Sequence, residues 1–511
     1  MSSLTTPFPL LEDWPQSMPM PSYEMSPYVA TAFLGVLLAY IWLASSSDIK
    51  KLPSINPVGL FGSETEAKRQ FLLSSTHLFK KARELFPDQP YRMLTDLGDV
   101  VVLPHRLVDE IRNEAKLSFP AANLEDFHGS IPGFEAMSQF ANDDQLLEAV
   151  LRKRLTTHLS KVTEPLAEEM AIAASVNLGD SHEWTEMTLK PAILDIVARI
   201  SSRVFLGDQL CRDAEWLNIT KQYTINLFYS AAKLRVYPRN LRKLFHWFLP
   251  ECKALRAQYR EAERVIAPVI AKRREIRRMA LADGKLPPYF NDALDWADEE
   301  ATRKGLKFNM PAFQLMLSVG ATHTTTDLLA QVMLDLAQNP EYMQLAREEI
   351  LLDSIAKESQ RLKPVSLAAM RRMAIDNVTL SNGLVIPKGA RTFVDAYRMR
   401  DPDAYENPEK WDGSRFLKLR SQSGKDSMSL LVSTHRDHLG FGHGVWACPG
   451  RFFAANEVKV ALCHILIKYE WKLSPGTDVK PMIMGAATGV SPTAKVLIRK
   501  REKMELDIDS L

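Results

Sequence analysis

The chain has 511 residues, 46% hydrophobic and 25% charged, the balance of a folded globular protein rather than a disordered or fibrous one. Its 64 basic and 62 acidic residues leave a formal charge of +2, which makes no general case for a nucleic-acid partner or an acidic substrate. Four scattered cysteines, Cys211, Cys252, Cys448 and Cys463, form no C-x-x-C pair; this excludes a disulfide framework or zinc knuckle and suits a reducing compartment.

Residues 1–26 are rich in Pro and Ser and read as a mobile tail. Residues 27–44 carry no charge and approach the ~20 apolar positions a membrane-crossing helix needs. Tyr28, Tyr40 and Trp42 suit the two interfaces. Lys50 and Lys51 follow the run, whereas Glu12, Asp13 and Glu24 precede it; the positive-inside rule then places the tail outside and the body in the cytosol. A cleaved signal peptide fits less well, because the run starts late and lacks a basic leading region. Residues 45–57 form a stiff hinge containing Pro53 and Pro57, and residues 58–511 make the body.

The body reads as mainly helical. Apolar residues recur at helical spacing over 146–170, 259–279, 311–337 and 457–468. Strand signals are few: Val100–Leu103, and a hairpin whose arms 378–380 and 384–386 flank Ser381-Asn382-Gly383. The charged residues of 292–307 predict an exposed stretch ahead of the next long helix. No internal repeat is present.

Within 311–337, Gly320-Ala321-Thr322-His323-Thr324-Thr325-Thr326-Asp327 interrupts an apolar pattern with poor helix-interior residues. Thr324 can bond back to the carbonyl of Gly320 and open a polar notch in an apolar wall. The bland alternative is a polar stripe facing solvent. Further on, Glu358-Ser359-Gln360-Arg361 places a carboxylate and a guanidinium together at i and i+3. By itself this is usually a surface pair of little energetic weight.

The decisive segment is Phe441-Gly442-His443-Gly444-Val445-Trp446-Ala447-Cys448-Pro449-Gly450. Its glycines permit backbone conformations closed to other residues, so a loop can pass close to a flat cofactor. A helix-favouring run begins at Arg451, which puts Cys448 at a helix N-terminus, where free N–H groups and the dipole favour thiolate. Thiolate is what an iron ligand must be, and its electron donation favours O–O cleavage. A buried inert cysteine is the common alternative and accounts poorly for the flanking glycines; Cys463, inside an apolar helix, suits that role.

Phe-Gly-x-Gly-x-x-x-Cys-Pro-Gly resembles the haem-binding loop of the cytochrome P-450 family, and the resemblance extends over nearly the whole body, most of all to fungal microsomal members that oxidise terpenoids and related secondary metabolites. It implies a mainly α fold with small β-sheets. It also implies haem b held by Cys448 as axial ligand, with Phe441, Gly442 and Gly450 forming the loop around it. By the same resemblance Glu358 and Arg361 join Arg415, in Trp411-Asp412-Gly413-Ser414-Arg415-Phe416, in a structural network, although that second motif matches well only at Arg415-Phe416. Thr324 takes the place of the family's oxygen-handling alcohol, and His323 stands where an acid is usual. A histidine can relay protons near neutral pH, though a lone helical histidine is as often merely packed. Trp446 stands where a residue facing a haem propionate is frequent, and an indole brings no charge. Residues 119–140 match the variable region over the haem. Electrons are expected from NADPH through a separate cytochrome P-450 reductase, with cytochrome b5 as a second donor. The expected substrate is a hydrophobic small molecule, and the location is the endoplasmic reticulum membrane. Arg451, Lys459, Lys468 and Lys472 offer part of a basic docking face, or simply a solvated helix face.

One departure stands out. Residues 341–350 run into 351–361 without a Gly, Pro or polar turn cluster, where the family has two helices and a substantial connector. Either the helices are fused, or a segment was lost, for instance at a misread splice junction. The second reading is preferred, since a rigid fusion would displace Glu358 from the cysteine loop. This leaves two alternatives to a monooxygenase: a haem-poor, inactive membrane protein, and a haem-thiolate isomerase or dehydratase without net oxidation.

Overall fold

The structure is a computed structural model describing residues 31–36, 48–59, 62–140, 145–346 and 349–504. It separates into residues 1–51 and residues 52–511. In the first unit, residues 31–36 are helical and expose Phe33, Leu34 and Val36. Most of the apolar run expected to cross a membrane, and the whole tail, lie outside the described residues. Among the described residues, no helix is long and apolar enough to span a bilayer.

The second unit is built around one helix, Met310–Gln338. Asn309 caps it by accepting from the Ala312 N–H at 3.0 Å, and Pro311 occupies its first turn, where a missing N–H costs nothing. Twenty of its 29 positions are buried, because other helices wrap it: Leu189–Leu206, Ala214–Arg235, Glu349–Leu362 and Arg451–Lys468. A helix apolar all round is stable only in such a setting.

Beside this bundle lies a five-stranded sheet. Its order is Tyr91–Thr95, Gly98–Leu103, Arg391–Asp395, Ala368–Ala374, Leu117–Ser118. Only the Gly98–Leu103 and Arg391–Asp395 pair is parallel, with Val100 opposite Arg391. The register slips between Ala369 and Arg372, where Met370 adopts φ +50°; such a bulge re-aims the side chains that follow it. A three-stranded sheet of Thr185–Thr188, Lys495–Lys500 and Tyr469–Leu473, together with two two-stranded ribbons, completes the β-structure. One ribbon pairs Val378 with Ile386, the hairpin expected from the Gly-containing turn.

Two expectations need correction. Residues 146–170 do not form one helix. Leu146–Ala149 passes into a π-helical turn, Val150–Leu155, and a new helix, Leu159–Leu178, starts after His158. The π turn lets Arg152 donate to the carbonyl of Val445 in the cysteine loop at 2.6 Å. The charged stretch 292–307 is not simply exposed. It folds into the helix Ala293–Lys304, with Trp296, Asp295 and Glu300 buried, because Arg273 enters the interior to meet Asp292 and Asp295. Near residue 350, Glu341–Leu345 ends with Ala346 as its cap and the helix Glu349–Leu362 follows; residues 347–348 between them lie outside the described residues.

Candidate active site

Cys448 sits between the turn Gly444–Trp446 and the helix Arg451–Lys468. Its N–H donates to the Phe441 carbonyl at 2.8 Å, closing the loop. Gly442 and Gly444 have φ of +70° and +77°, a region where side chains are strained. At Gly444 a Cβ would also lie 2.2 Å from the carbonyl oxygen of Arg112, so this glycine is required twice over. Arg451 braces the loop from the helix side, donating to the carbonyls of Cys448 at 3.0 Å and Val432 at 3.1 Å.

The N–H groups of Gly450 and Arg451 and the charge of Arg451 pull the Cys448 thiol down, as a helix N-terminus should; burial outweighs them and leaves it raised. Holding a thiolate there therefore calls for a cation at the sulfur. Cys211 and Cys252 give no rival: both are buried, with thiols pushed up to about 12 and about 11.

On the central helix, Gly320, Thr324 and Asp327 fall on one line, and Gly320 and Thr324 are exposed amid buried neighbours. Thr324 Oγ1 donates to the Gly320 carbonyl at 2.8 Å, the back-bond expected from the sequence. His323 points elsewhere: its Nε2 lies 3.0 Å from the Lys221 carbonyl in the neighbouring helix Ala214–Arg235. As a carbonyl only accepts, Nε2 carries the proton. Burial lowers the imidazole's pKa, so it is held neutral with Nδ1 bare.

Glu358 is fully buried and shared by two arginines. Arg361 meets it through Nε at 2.8 Å and Nη2 at 2.9 Å, and Arg415 through Nε at 3.0 and 3.1 Å. The arginines' remaining N–H groups grip the carbonyls of Met399, Pro408, Glu406 and Lys410. The loosely matched 411–416 motif is seated tightly. Trp411 donates to Ser359 and Ser354 donates to the Gly413 carbonyl; a Cβ on Gly413 would strike Tyr342 at 2.8 Å. Glu358 thus meets both of its expected partners.

Trp446 spends its indole N–H on the carbonyl of Leu117, at 3.1 Å. The four basic residues offered as part of a docking face stand in different settings. Lys468 is buried, Arg451 serves the cysteine loop, and Lys472 lies over Trp184 at 4.5 Å.

Two further residues escaped the sequence reading. Arg372 is buried with its Nε and Nη2 lacking partners, and burial lowers its pKa to about 9. It follows the bulge, which no local pattern announces. Glu457, one turn into the packed part of the cysteine helix, is fully buried among Ser201 and Thr325 and pushed up to about 8. A single carboxylate at the head of the apolar pattern of 457–468 was the available signal.

The family model for cytochrome P450 matches residues 138–498. The chain belongs to the cytochrome P450 family. It is 42% identical over 493 residues to cytochrome P450 monooxygenase hepE of Aspergillus oryzae, covering 93% of this chain and 89% of that protein. It is likewise 42% identical over 512 residues to cytochrome P450 monooxygenase 2 of Gibberella fujikuroi, covering 96% and 97%. Among solved structures it resembles retinoic acid-bound cyanobacterial CYP120A1, with a TM-score of 0.62, 17% identity and coverage of 88% and 99%. The haem domain of cytochrome P450DA gives a TM-score of 0.66 with 17% identity and coverage of 88% and 97%; these two likenesses concern the fold.

The protein is a haem-thiolate monooxygenase of the P450 type, and the family's cofactor is haem b with a cysteine thiolate as axial ligand. The residues present fit that group. The orphaned, desolvated guanidinium of Arg372 wants an anion, and haem b carries two propionates. The raised thiol of Cys448 wants a metal cation. The exposed Gly320–Thr324 stripe leaves open the interior face of the central helix.

Proposed function

We propose that this P450 inserts one oxygen atom into a hydrophobic, terpenoid-like substrate in a secondary-metabolite pathway. Electrons come from NADPH through a separate cytochrome P450 reductase, with cytochrome b5 as an auxiliary donor. The observation that carries the reading is the loop that places Cys448 between two left-handed glycines and a helix N-terminus. Bound haem supplies the activation of dioxygen; the chain supplies position, exclusion of water and protons.

In this reading Cys448 would hold the haem iron, Phe441, Gly442 and Gly450 would shape the loop that carries the sulfur, and Arg372 would neutralise a propionate. Thr324 is the hydroxyl of the notch. Its bond to Gly320 fixes Oγ1 on the open stripe, where rotation of the O–H passes a proton from solvent to the reacting oxygen. His323 enters as a neutral imidazole anchored on Lys221, with Nδ1 the atom able to take a proton. The paired charges of Glu358, Arg361 and Arg415 hold the segment before the cysteine loop in place. Their completeness speaks against the inactive reading that the apparent missing segment near 350–351 suggested.

The proposed location is the endoplasmic reticulum membrane with the body in the cytosol. The sequence of residues 27–44 supports an anchor. An exposed apolar patch of Val236, Leu244, Trp247 and Phe248 beside Arg239, Arg242 and Lys243 supports a body resting on an anionic interface.

Purified protein, reduced and treated with carbon monoxide, tests the ligand. A Soret band at the thiolate position is expected, and its absence from haem-loaded protein would reject the reading. Product formation that depends on NADPH and reductase separates a monooxygenase from an isomerase or dehydratase.

A further inference from the structure

Five arginines gather where the helix Phe119–Asp126, the strands Ala368–Ala374 and Arg391–Asp395, and the end of the helix Ala214–Arg235 meet. Arg391 donates to Asp126 at 2.7 Å. Arg235 pairs with Asp96 at 3.0 Å and donates to the Asp126 carbonyl at 2.9 Å. Arg239 pairs with Glu125 at 2.7 Å. Arg242 bonds the carbonyls of Tyr237 and Arg235, and Arg371 reaches Asn123 Oδ1 at 2.6 Å. Five guanidiniums thus face three carboxylates, Asp96, Glu125 and Asp126. The nearby His128 is held neutral by burial, with a pKa of about 4, and adds no charge.

Such an excess is costly for the members that are buried, though not for Arg239, whose side chain is 76% exposed. Burial is the largest influence on both Arg242 and Arg371, and neighbouring guanidiniums push each further down. Arg371 nonetheless keeps 26% of its side chain open. A cation enclosed by protein yet partly open lines an internal space. Its firm partner is a neutral carboxamide; Asp126 lies 3.8 Å away and is already engaged by Arg391.

That space adjoins the cysteine loop. Trp446 donates to Leu117; Leu117 and Ser118 pair with Ala374 and Met373 of the strand carrying Arg371. Ser118 caps the helix carrying Asn123 and Asp126. The wall opposite is apolar and aromatic: Phe127 lies under Arg371 at 5.2 Å and packs edge-on against Phe228.

We propose that Arg371 and its neighbours form a carboxylate subsite of the substrate cavity, so that the compound oxidised over Cys448 is an apolar skeleton bearing an acid group. Arg371 takes that group in place of the Asn123 carboxamide, through two parallel N–H bonds. This rests on the monooxygenase reading and narrows its substrate to acids.

The test is a Soret titration of haem-loaded protein that already shows the thiolate carbon monoxide band. Two matched pairs serve as probes: dehydroabietic acid and its methyl ester, and hexadecanoic acid and its methyl ester. In at least one pair the acid should bind about tenfold or more tightly than the ester. Arg371→Gln should bring that pair to equality by weakening the acid alone, and Arg371→Lys should keep part of the preference. Equal binding of acid and ester in both pairs, no response to either acid, or a preference retained in Arg371→Gln overturns the subsite. If Arg371→Gln does not load haem, the wild-type comparison and Arg371→Lys decide. A wild-type protein without the thiolate band would instead sink the monooxygenase reading itself.

Discussion

Arg415 closes on Glu358 with its Nε 3.0 Å from one carboxylate oxygen and 3.1 Å from the other, so residues 57 positions apart are locked at zero exposure of the acid. Arg361 completes the group from within the same helix. Glu358→Gln leaves two buried guanidiniums sharing a neutral amide. Breaking a buried pair costs about 3–5 kcal/mol, and urea unfolding should read a loss of that order. Haem content per mole of protein should fall with it, because the segment before the cysteine loop loses its clamp.

Cys448→Ala removes the only sulfur in the glycine-lined loop. The thiolate carbon monoxide band should vanish entirely, whatever haem remains bound. A variant that kept the band would refute the ligand assignment.

Gly444→Ala should abolish haem loading. The new Cβ would meet the Arg112 carbonyl at 2.2 Å, and the residue would be held at φ +77°. Neither partner is a flexible side chain, so backbone must move, at a cost of several kcal/mol on the order of strained sites. Absorbance at the Soret maximum relative to protein absorbance measures the outcome.

Thr324→Ala should keep the thiolate band and lose coupling. Product formed per NADPH should drop roughly tenfold or more, a cost of about 1.4 kcal/mol per decade, while peroxide release rises. Unchanged coupling would show that the open stripe does not need this hydroxyl.

Glu457→Gln tests a pH effect. Burial raises the Glu457 carboxyl from its ordinary range to about 8, so between those values the folded state binds a proton that the unfolded chain releases. The stabilisation is complete below the unfolded pKa and is lost as pH rises through about 8. Glutamine mimics the protonated acid at every pH. The wild-type melting temperature should therefore fall more steeply than the variant's between pH 6.5 and 9. Parallel curves would mean that Glu457 is already ionised at neutral pH.

Much of the site was legible because its chemistry is local. Phe441 to Gly450 is contiguous, and the positive φ values that need glycine are a property of a few consecutive residues. The Thr324 back-bond spans one helical turn, and so do Glu358 and Arg361. The misreadings share a different cause. The stretch 292–307 looked exposed because its charges are plain in sequence, whereas the partner that buries them, Arg273, lies in another helix. The burial of Lys468 was hidden for the same reason: a lysine's surroundings are set by what packs over it.

The amino-acid order by itself determined the ligand, the loop around it and the helical character of the body, since each depends on backbone conformation and spacing within about a dozen residues. Only the tertiary structure decided that Glu358 meets Arg415, that Trp446 turns to Leu117, that Nε and Nη2 of the buried Arg372 are left without partners, and that five arginines converge on three acids. Those outcomes depend on burial and on charges far apart along the chain, whose interaction strength is set by the surroundings that folding creates.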